Sequence, residues 1–434
     1  MALPTSLPRR AALGRLFAPT LAGPSGLVDL VLSDGRIEAI RPGGSVPGAL
    51  DLGGRIVLPG FVDMHTHLDK GHIWPRAANA DGSHATAART VARDRQQNWC
   101  ARDVARRFEF GLRCALAHGT VAMRSHLDSY EHEQAEISFE VFGQLRDAWQ
   151  GRIALQPVVM TRIERYAGAQ GERLAQLASR HGGALGGILK IEAGFVQGTQ
   201  AEPYLDRLFT LAEKHGLGVD LHVDETGDPG SAQLRTVAEA VLRTGFEGPV
   251  ACGHCCSLAV QPGEEAEGTI ALVARAGITV VSLPMVNLYL QDRAPGRTPR
   301  WRGVTPLHEL RAAGVRVVSA SDNCRDPFFA FGDHDMLEVF RETLRIGHLD
   351  TDWRGWLGMV TSEAAGAMGL PEAGEIRAGG AANLILCNAR SLSELLARPQ
   401  SDRRVIRAGQ VLDAALPDYS DLDPLFEPQK EPLA

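Results

Sequence analysis

Cysteine is scarce. Seven are spread through 434 residues, an odd number. This excludes a disulfide scaffold and predicts a reducing compartment. Cys252, Cys255 and Cys256 stand close together, but no second pair follows them. A paired-cysteine zinc site is therefore not expected, and the spacing predicts small buried thiols at a strand end. Long apolar runs are absent as well: none approaches the roughly 20 residues that span a bilayer. The N-terminal Arg9-Arg10 pair is followed by no sustained apolar stretch, so neither a signal peptide nor an anchor is expected. A soluble, cytoplasmic protein with no membrane partner follows. Basic charge is in deficit, with 45 Lys and Arg against 52 Asp and Glu and a net charge of −7. Nucleic acid is excluded as a partner, because phosphate contacts need clustered cations. There is no GxxxxGK[ST] loop and no GxGxxG between a strand and a helix.

What remains is ordinary globular composition, 44% hydrophobic and 22% charged. Division by about 150 residues per domain suggests three domains, but α/β barrels run well beyond that as one unit. Residues 27–40, LVDLVLSDGRIEAI, predict two strands joined by a turn at Asp34-Gly35. Segments 381–391 and 403–413 have the same character. The middle of the chain repeats short apolar runs at 56–65, 120–128, 153–160, 185–191, 217–225, 249–254, 278–284 and 315–322. Amphipathic segments such as 201–216 lie between them with helical spacing. Most steps are about 30 residues, the length of a βαβ unit. Continuous apolar runs read as buried parallel strands. The expectation is a (β/α)8 TIM barrel over residues 58–374, with a small β-sandwich domain built from both chain ends, 1–57 and 375–434. The polar, Pro-rich end of the chain is expected to be loosely attached.

Nearly every run ends on a titratable or polar group: His65 and His67, His126, Lys190, His222 and Glu225, His254, Asp322. In a TIM barrel the C-terminal strand ends form the active-site face, so these residues converge on one cup. Alternation along a strand puts His65 and His67 on one face, where both imidazoles reach a shared metal. An isolated HxH is a weak signal; ligand-type residues on other strand ends strengthen it. His222 supplies a third nitrogen and Asp322 a carboxylate, completing a three-His, one-Asp site with an open position for water. Such nitrogen and oxygen donors suit one divalent ion, Zn²⁺ or Fe²⁺. The metal makes hydroxide available near neutral pH. Glu225 is placed to shuttle a proton to the substrate, and Asp322 to accept one from the attacking water. His254 is placed to orient the hydroxide and stabilise the tetrahedral centre. The blander readings are a loop salt bridge for Glu225 and a satisfied strand-end histidine for His254.

The motifs GFVDMHTHLDK, DLHVDE, CGH and SASDN, in that order, resemble the amidohydrolase superfamily. Within it the chain is most similar to the bacterial cytosine deaminase branch, which includes N-isopropylammelide aminohydrolase-like enzymes. The likeness covers nearly the whole chain and extends to RSHLD at 124–128, LPMVNLYLQDR at 283–293 and SDNCRDPFFAFG at 321–332. It implies a mononuclear zinc or iron site at His65, His67, His222 and Asp322, a supporting histidine at His254 and a proton shuttle at Glu225. The implied activity is hydrolytic deamination of a small, cytosine-like nitrogen heterocycle. Three departures touch substrate reading: no third-strand Gln in 158–164, Asn323 where the family has a second Asp, and Phe328 where it has Trp. They open the reading to triazine, pterin or creatinine-like rings.

Lys190 closes the fourth run, where binuclear members of the superfamily carry a bridging carboxylated lysine. That role would make the enzyme a binuclear cyclic amidase. The alternatives are contact with the substrate or a salt bridge to Glu192 or Asp224, and HVDE favours these. Lys190, Asn287, Asn323, Phe328 and Trp74 are expected to line the substrate pocket, mixing polar readers with flat walls. The expected partner is a small heterocycle, and a homo-oligomer is compatible with the chain. A catalytically dead barrel is the weakest alternative, because every ligand position is filled.

Overall fold

The computed structural model describes residues 3–21, 26–189, 198–413 and 415–426. The chain opens with β1 (Arg10–Leu16), β2 (Val28–Ser33), β3 (Arg36–Pro42) and β4 (Leu50–Asp51), which form a sheet in the order β3-β2-β1-β4. Asp34 and Gly35 make the expected turn between β2 and β3, with φ of 48° and 81°. Two successive positive φ values match the right-handed twist of the strands they join.

The 56–65 run, read from sequence as one barrel strand, is two strands. β5 (Val57–Pro59) belongs to the small sheets, and the barrel starts at β6 (Phe61–Thr66). Gly60 separates them. A Cβ there would stand 2.1 Å from Val121 Cγ1, so only glycine lets the chain pass. An unbroken apolar pattern does not register this handover, because both strands are buried throughout.

Seven more parallel strands follow β6: β7 (Thr120–Asp128), β8 (Ala154–Met160), β9 (Ala184–Leu189), β10 (Gly218–Val223), β11 (Val250–His254), β12 (Thr279–Ser282) and β13 (Val317–Ser319). They pair in chain order, each with the next. Helices lie between them: α1 (His84–Asn98) and α2 (Ala101–His118) after β6, then α3 (His132–Ala148), α4 (Gly168–Arg180), α5 (Glu202–His215), α6 (Gln233–Thr244) and α7 (Gly263–Arg275). Two short helices, α8 (Pro284–Leu290) and α9 (Leu307–Ala312), follow β12, and α10 (Met336–Gly347) follows β13. The eight-unit barrel expected from the rhythm of apolar runs is present. Helix α5 fills the 201–216 segment and stops at Gly216, whose φ of 64° suits a C-terminal cap.

The ladder runs from β6 to β13 and closes at a short seam. Thr66 bridges Asp322, and the Asp322 amide donates to the His65 carbonyl at 2.9 Å. Ser321 donates to Asp63 from its amide at 3.1 Å and its hydroxyl at 2.5 Å. The barrel interior is packed by Val62, Met64, Val121, Val281 and Val318 against Ala364 and Met368. The main core lies between the strands and the helices, with Phe108, Phe139, Phe209 and Phe340 fully buried. Each such side chain contributes about 1.5–3 kcal/mol by leaving water.

The chain then returns to the small sheets. β14 (Leu384–Leu386), β15 (Arg404–Arg407) and β16 (Gln410–Val411) join β5 in the order β16-β15-β14-β5. Leu13, Leu30 and Ile37 of the first sheet share a core with Leu384, Leu386 and Ile406 of the second. Both chain ends thus build one sandwich, as the paired β-rich flanks suggest. Of the end segment expected to be loosely attached, 427–434 lie outside the described residues, but 418–426 are docked: Leu422 is buried against Phe110 and Cys114 of α2, and Arg113 pairs with Asp421 at 2.8 Å.

Candidate active site

The strand ends deliver their polar residues to one place. His65 points inward from β6 and His67 follows it. His222 sits on β10, His254 ends β11, and Asp322 lies three residues past β13. His222 Nε2 lies 3.1 Å from His65 Nε2 and 3.2 Å from His67 Nε2. Asp322 Oδ1 lies 3.1 Å from His67 Nε2 and 3.7 Å from His65 Nε2. His65, His222, His254 and Asp322 each offer a donor atom within 4.8 Å of the others. All are buried.

The backbone is strained where it aims them. His254 and Asp322 have φ of 68° and 61°, a region L-residues rarely occupy. Such conformations persist where surrounding structure over-determines them, as at active sites. Gly253 belongs to the same device. A Cβ there would stand 2.9 Å from His65 Cε1, so the β11 backbone can lie against the His65 ring only without a side chain.

Electrostatics separates this cluster from ordinary core. Burial, followed by nearby cations and other imidazoles, holds His65, His67 and His222 well below the usual histidine pKa. The rings are therefore neutral, which is the ligating form. Burial, with the Glu225 carboxylate next, raises Asp322 well above the usual carboxylate range. Neither Asp322 oxygen has a hydrogen-bond partner. Three converging imidazole nitrogens and an unbonded buried carboxylate fit a divalent cation, which would satisfy all of them together.

Around these donors lies a cavity of about 370 Å³. His67, His222, Glu225, His254 and Asp322 reach it, as do Asn323 and Phe328. Glu225 is largely buried, with Oε2 3.2 Å from His84 Nε2 and 3.9 Å from His254 Nε2. Asp326 accepts from Asn323 Nδ2 at 2.6 Å and from the Phe328 amide at 2.8 Å, so it shapes the loop that carries both.

Two expected pocket residues stand elsewhere. Asn287 does not line the cavity; it supports His254. Its Nδ2 donates to the Gly303 carbonyl at 3.1 Å, leaving its Oδ1 to accept from His254 Nδ1 at 2.9 Å. This fixes the proton on Nδ1 and turns Nε2 toward the site as an acceptor. Trp74 is half-buried outside the cavity, with its amide bonded to the Arg325 carbonyl at 2.9 Å. Its place in the loop after β6 gave no information on the loop's path. Lys190 lies outside the described residues. His126 packs behind the donors, its ring 4.0 Å from that of His65 and its Nε2 3.6 Å from Asp220 Oδ1. Cys252, Cys255 and Cys256 are buried free thiols, as expected.

The sequence reading missed Lys70 and His84. Lys70 lines the cavity, with Nζ 3.7 Å from Asp128 Oδ1 and 4.9 Å from the Phe328 ring centre. It stands in the same HTHLDK run as the histidines, and a lysine closing a buried strand-end motif was the available signal. His84 begins α1, far along the chain from Glu225, and nothing in its local pattern marks it.

The whole chain has recognisable relatives. A profile of the amidohydrolase family matches residues 48–129 and 177–413. A pterin deaminase of Rhizobium rhizogenes is 51% identical over 409 residues, 92% of each chain. An N-isopropylammelide isopropyl amidohydrolase of Pseudomonas sp. is 26% identical, over 87% of this chain and 90% of its own. The fold is also that of a 5-methylcytosine deaminase from Klebsiella pneumoniae solved with 5-fluorocytosine. That comparison has a TM-score of 0.80 and 24% identity, covering 92% of this chain and 97% of the other. Among the described residues no helix is long and apolar enough to cross a membrane.

Proposed function

The chain belongs to the amidohydrolase family, and from that premise we propose that it hydrolyses the exocyclic amino group of a pterin-type ring. As a member it is a metal-dependent hydrolase of carbon–nitrogen bonds, a deaminase of a small nitrogen heterocycle. The finer reading rests on one observation, the 51% identity to a pterin deaminase across 92% of both chains. It replaces the cytosine-like ring expected from the motifs with one of the alternatives they left open. A cavity of about 370 Å³ walled by Phe328 is consistent with a flat bicyclic substrate.

The reaction adds water across the ring C=N bond at the carbon that bears NH₂, then breaks the C–NH₂ bond, releases ammonia and leaves a ring carbonyl. His65, His67, His222 and Asp322 hold one metal, Zn²⁺ or Fe²⁺. When bound, that ion supplies hydroxide near neutral pH. The protein's own groups manage the protons. Glu225 Oε2 carries one from the water to the ring nitrogen beside the reacting carbon. Asp322 takes the second and returns it to the leaving amine. His254, with Nδ1 held by Asn287, presents Nε2 to the oxygen that becomes the carbonyl. Asn323 and Lys70 offer hydrogen bonds to ring heteroatoms from the cavity wall.

The test is ammonia release from metal-loaded protein given pterin, cytosine, an aminated triazine and creatinine in parallel, with products identified by mass. Pterin should be turned over with the highest kcat/KM, its product carrying oxygen in place of NH₂. Preferred turnover of cytosine, or a ring-opened product without ammonia, would overturn the proposal.

A further inference from the structure

A second group of metal-type donors lies outside the cavity. His72 is in the loop after β6, Cys324 follows β13, and His334 precedes α10. Each offers one donor atom within 4.8 Å of the other two, and all three are buried. None lines the cavity of the first site. His72 Nε2 stands 4.0 Å from Cys324 Sγ, and the two imidazole centres are 6.1 Å apart. His334 Nδ1 reaches the Ser321 hydroxyl at 3.4 Å. The remaining ring nitrogens, His72 Nδ1 and His334 Nε2, are buried without a hydrogen-bond partner. A core histidine normally finds partners for its ring nitrogens, because an unmet buried polar atom costs about 1–3 kcal/mol. His334 Nε2 therefore stands without a partner beside a thiol that His72 faces through Nε2, a grouping of donors that suits a ligand.

The walls of the pocket fit the same reading. Gly111 on α2 faces His334, and a Cβ there would stand 3.2 Å from Nε2 and 2.8 Å from Leu68 Cδ2. Gly332 passes Cys324 on another side, where a Cβ would lie 3.6 Å from Sγ. Phe110 packs edge-on to His72 with ring centres 4.8 Å apart. Small and apolar groups thus form part of the wall, beside the Ser321 hydroxyl on His334.

We infer that His72, Cys324 and His334 form a second, structural site for a divalent transition metal of the zinc class. Two imidazoles and a thiolate are a borderline-to-soft set, unlike the nitrogen and oxygen donors of the first site. Binding costs the thiol its proton, which passes to solvent, and forms one metal–sulfur and two metal–nitrogen bonds. The ion would tie the loop that follows His67 to the loop that follows Asp322. Those loops already meet through the His72 amide and the Cys324 carbonyl at 3.0 Å.

Cobalt separates the two sites, because only this one contains sulfur. The whole protein is stripped with a chelator and titrated with Co²⁺. Two equivalents should bind per chain, and one of them should bring a thiolate-to-cobalt charge-transfer absorption in the near ultraviolet. Cys324→Ser should abolish that absorption and leave one equivalent bound, and His334→Gln should weaken the second equivalent by at least about tenfold. Cys100→Ser, at an exposed cysteine, should change nothing. No sulfur-derived absorption in fully loaded wild-type protein would overturn the inference without any variant needing to fold. Its persistence in Cys324→Ser would overturn it too.

Discussion

At the scale of single residues, position on a strand and burial decide the chemistry. Glu225 touches His84 and stands near His254, reaching the cavity without joining the histidine triangle. Glu225→Gln should therefore keep its metal while kcat falls by about 10²–10⁴-fold, the usual contribution of a proton shuttle. Metal analysis alongside steady-state kinetics checks both halves, and a near-normal rate would remove Glu225 from the mechanism. Gly253 gives a complementary prediction. A methyl group at 2.9 Å from the His65 ring must push that ring off its place. Gly253→Ala should lower metal occupancy and reduce kcat/KM by about 10²-fold, the scale on which small misplacements act. Fold stability, followed by urea titration, should change less.

At the scale of elements, the barrel was legible because eight buried strands must be apolar runs and the helices between them must be amphipathic. Strand ends carrying His65, His67, His222, His254 and Asp322 were legible for the same reason: a titratable residue closing an apolar run is conspicuous. Loops were not. Trp74 lies in a loop, Asn287 in the short α8 and His84 at the start of α1, all beyond the strand ends, and their direction depends on contacts far away in sequence. Asn287 meets His254 across 33 residues, and His84 meets Glu225 across 141. The handover at Gly60 was hidden by burial on both sides.

Arg107 on α2 shows how such loops are held. Buried completely, it donates to the Asp69 carbonyl at 2.5 Å and the Gly71 carbonyl at 3.0 Å, and pairs with Asp103 at 2.6 Å. Arg107→Met should destabilise the protein by about 3–5 kcal/mol in urea unfolding, as expected when one partner of a buried pair is removed. Burial alone would raise Asp103, but its bonds to Arg76 and Arg107 outweigh that and hold its pKa below the ordinary value. A depressed carboxylate stabilises the fold above its unfolded pKa, about 3.9, and that contribution fades as pH falls through the folded value. Wild-type protein should lose this part of its stability only below about pH 4, and Arg107→Met should lose less on acidification.

At the scale of the whole molecule, metal and fold are linked. An ion that binds the folded chain and not the unfolded one stabilises it by about 4 kcal/mol at a thousand times its Kd. Chelation should lower Tm, and His65→Ala should lower both Tm and its sensitivity to chelator, measured by calorimetry. An unchanged Tm on complete metal removal would show that the histidine cluster is held by packing alone.

Eight strands are laced edge to edge, but the last and first meet chiefly where Asp322 bonds His65 and Ser321 bonds Asp63. A hoop joined at one rivet opens at that rivet. Breathing of the barrel and escape of the ion should therefore be a single event with one clock. Exchange of the Asp322 amide proton and the off-rate of the metal, measured on the same sample, should keep the same time.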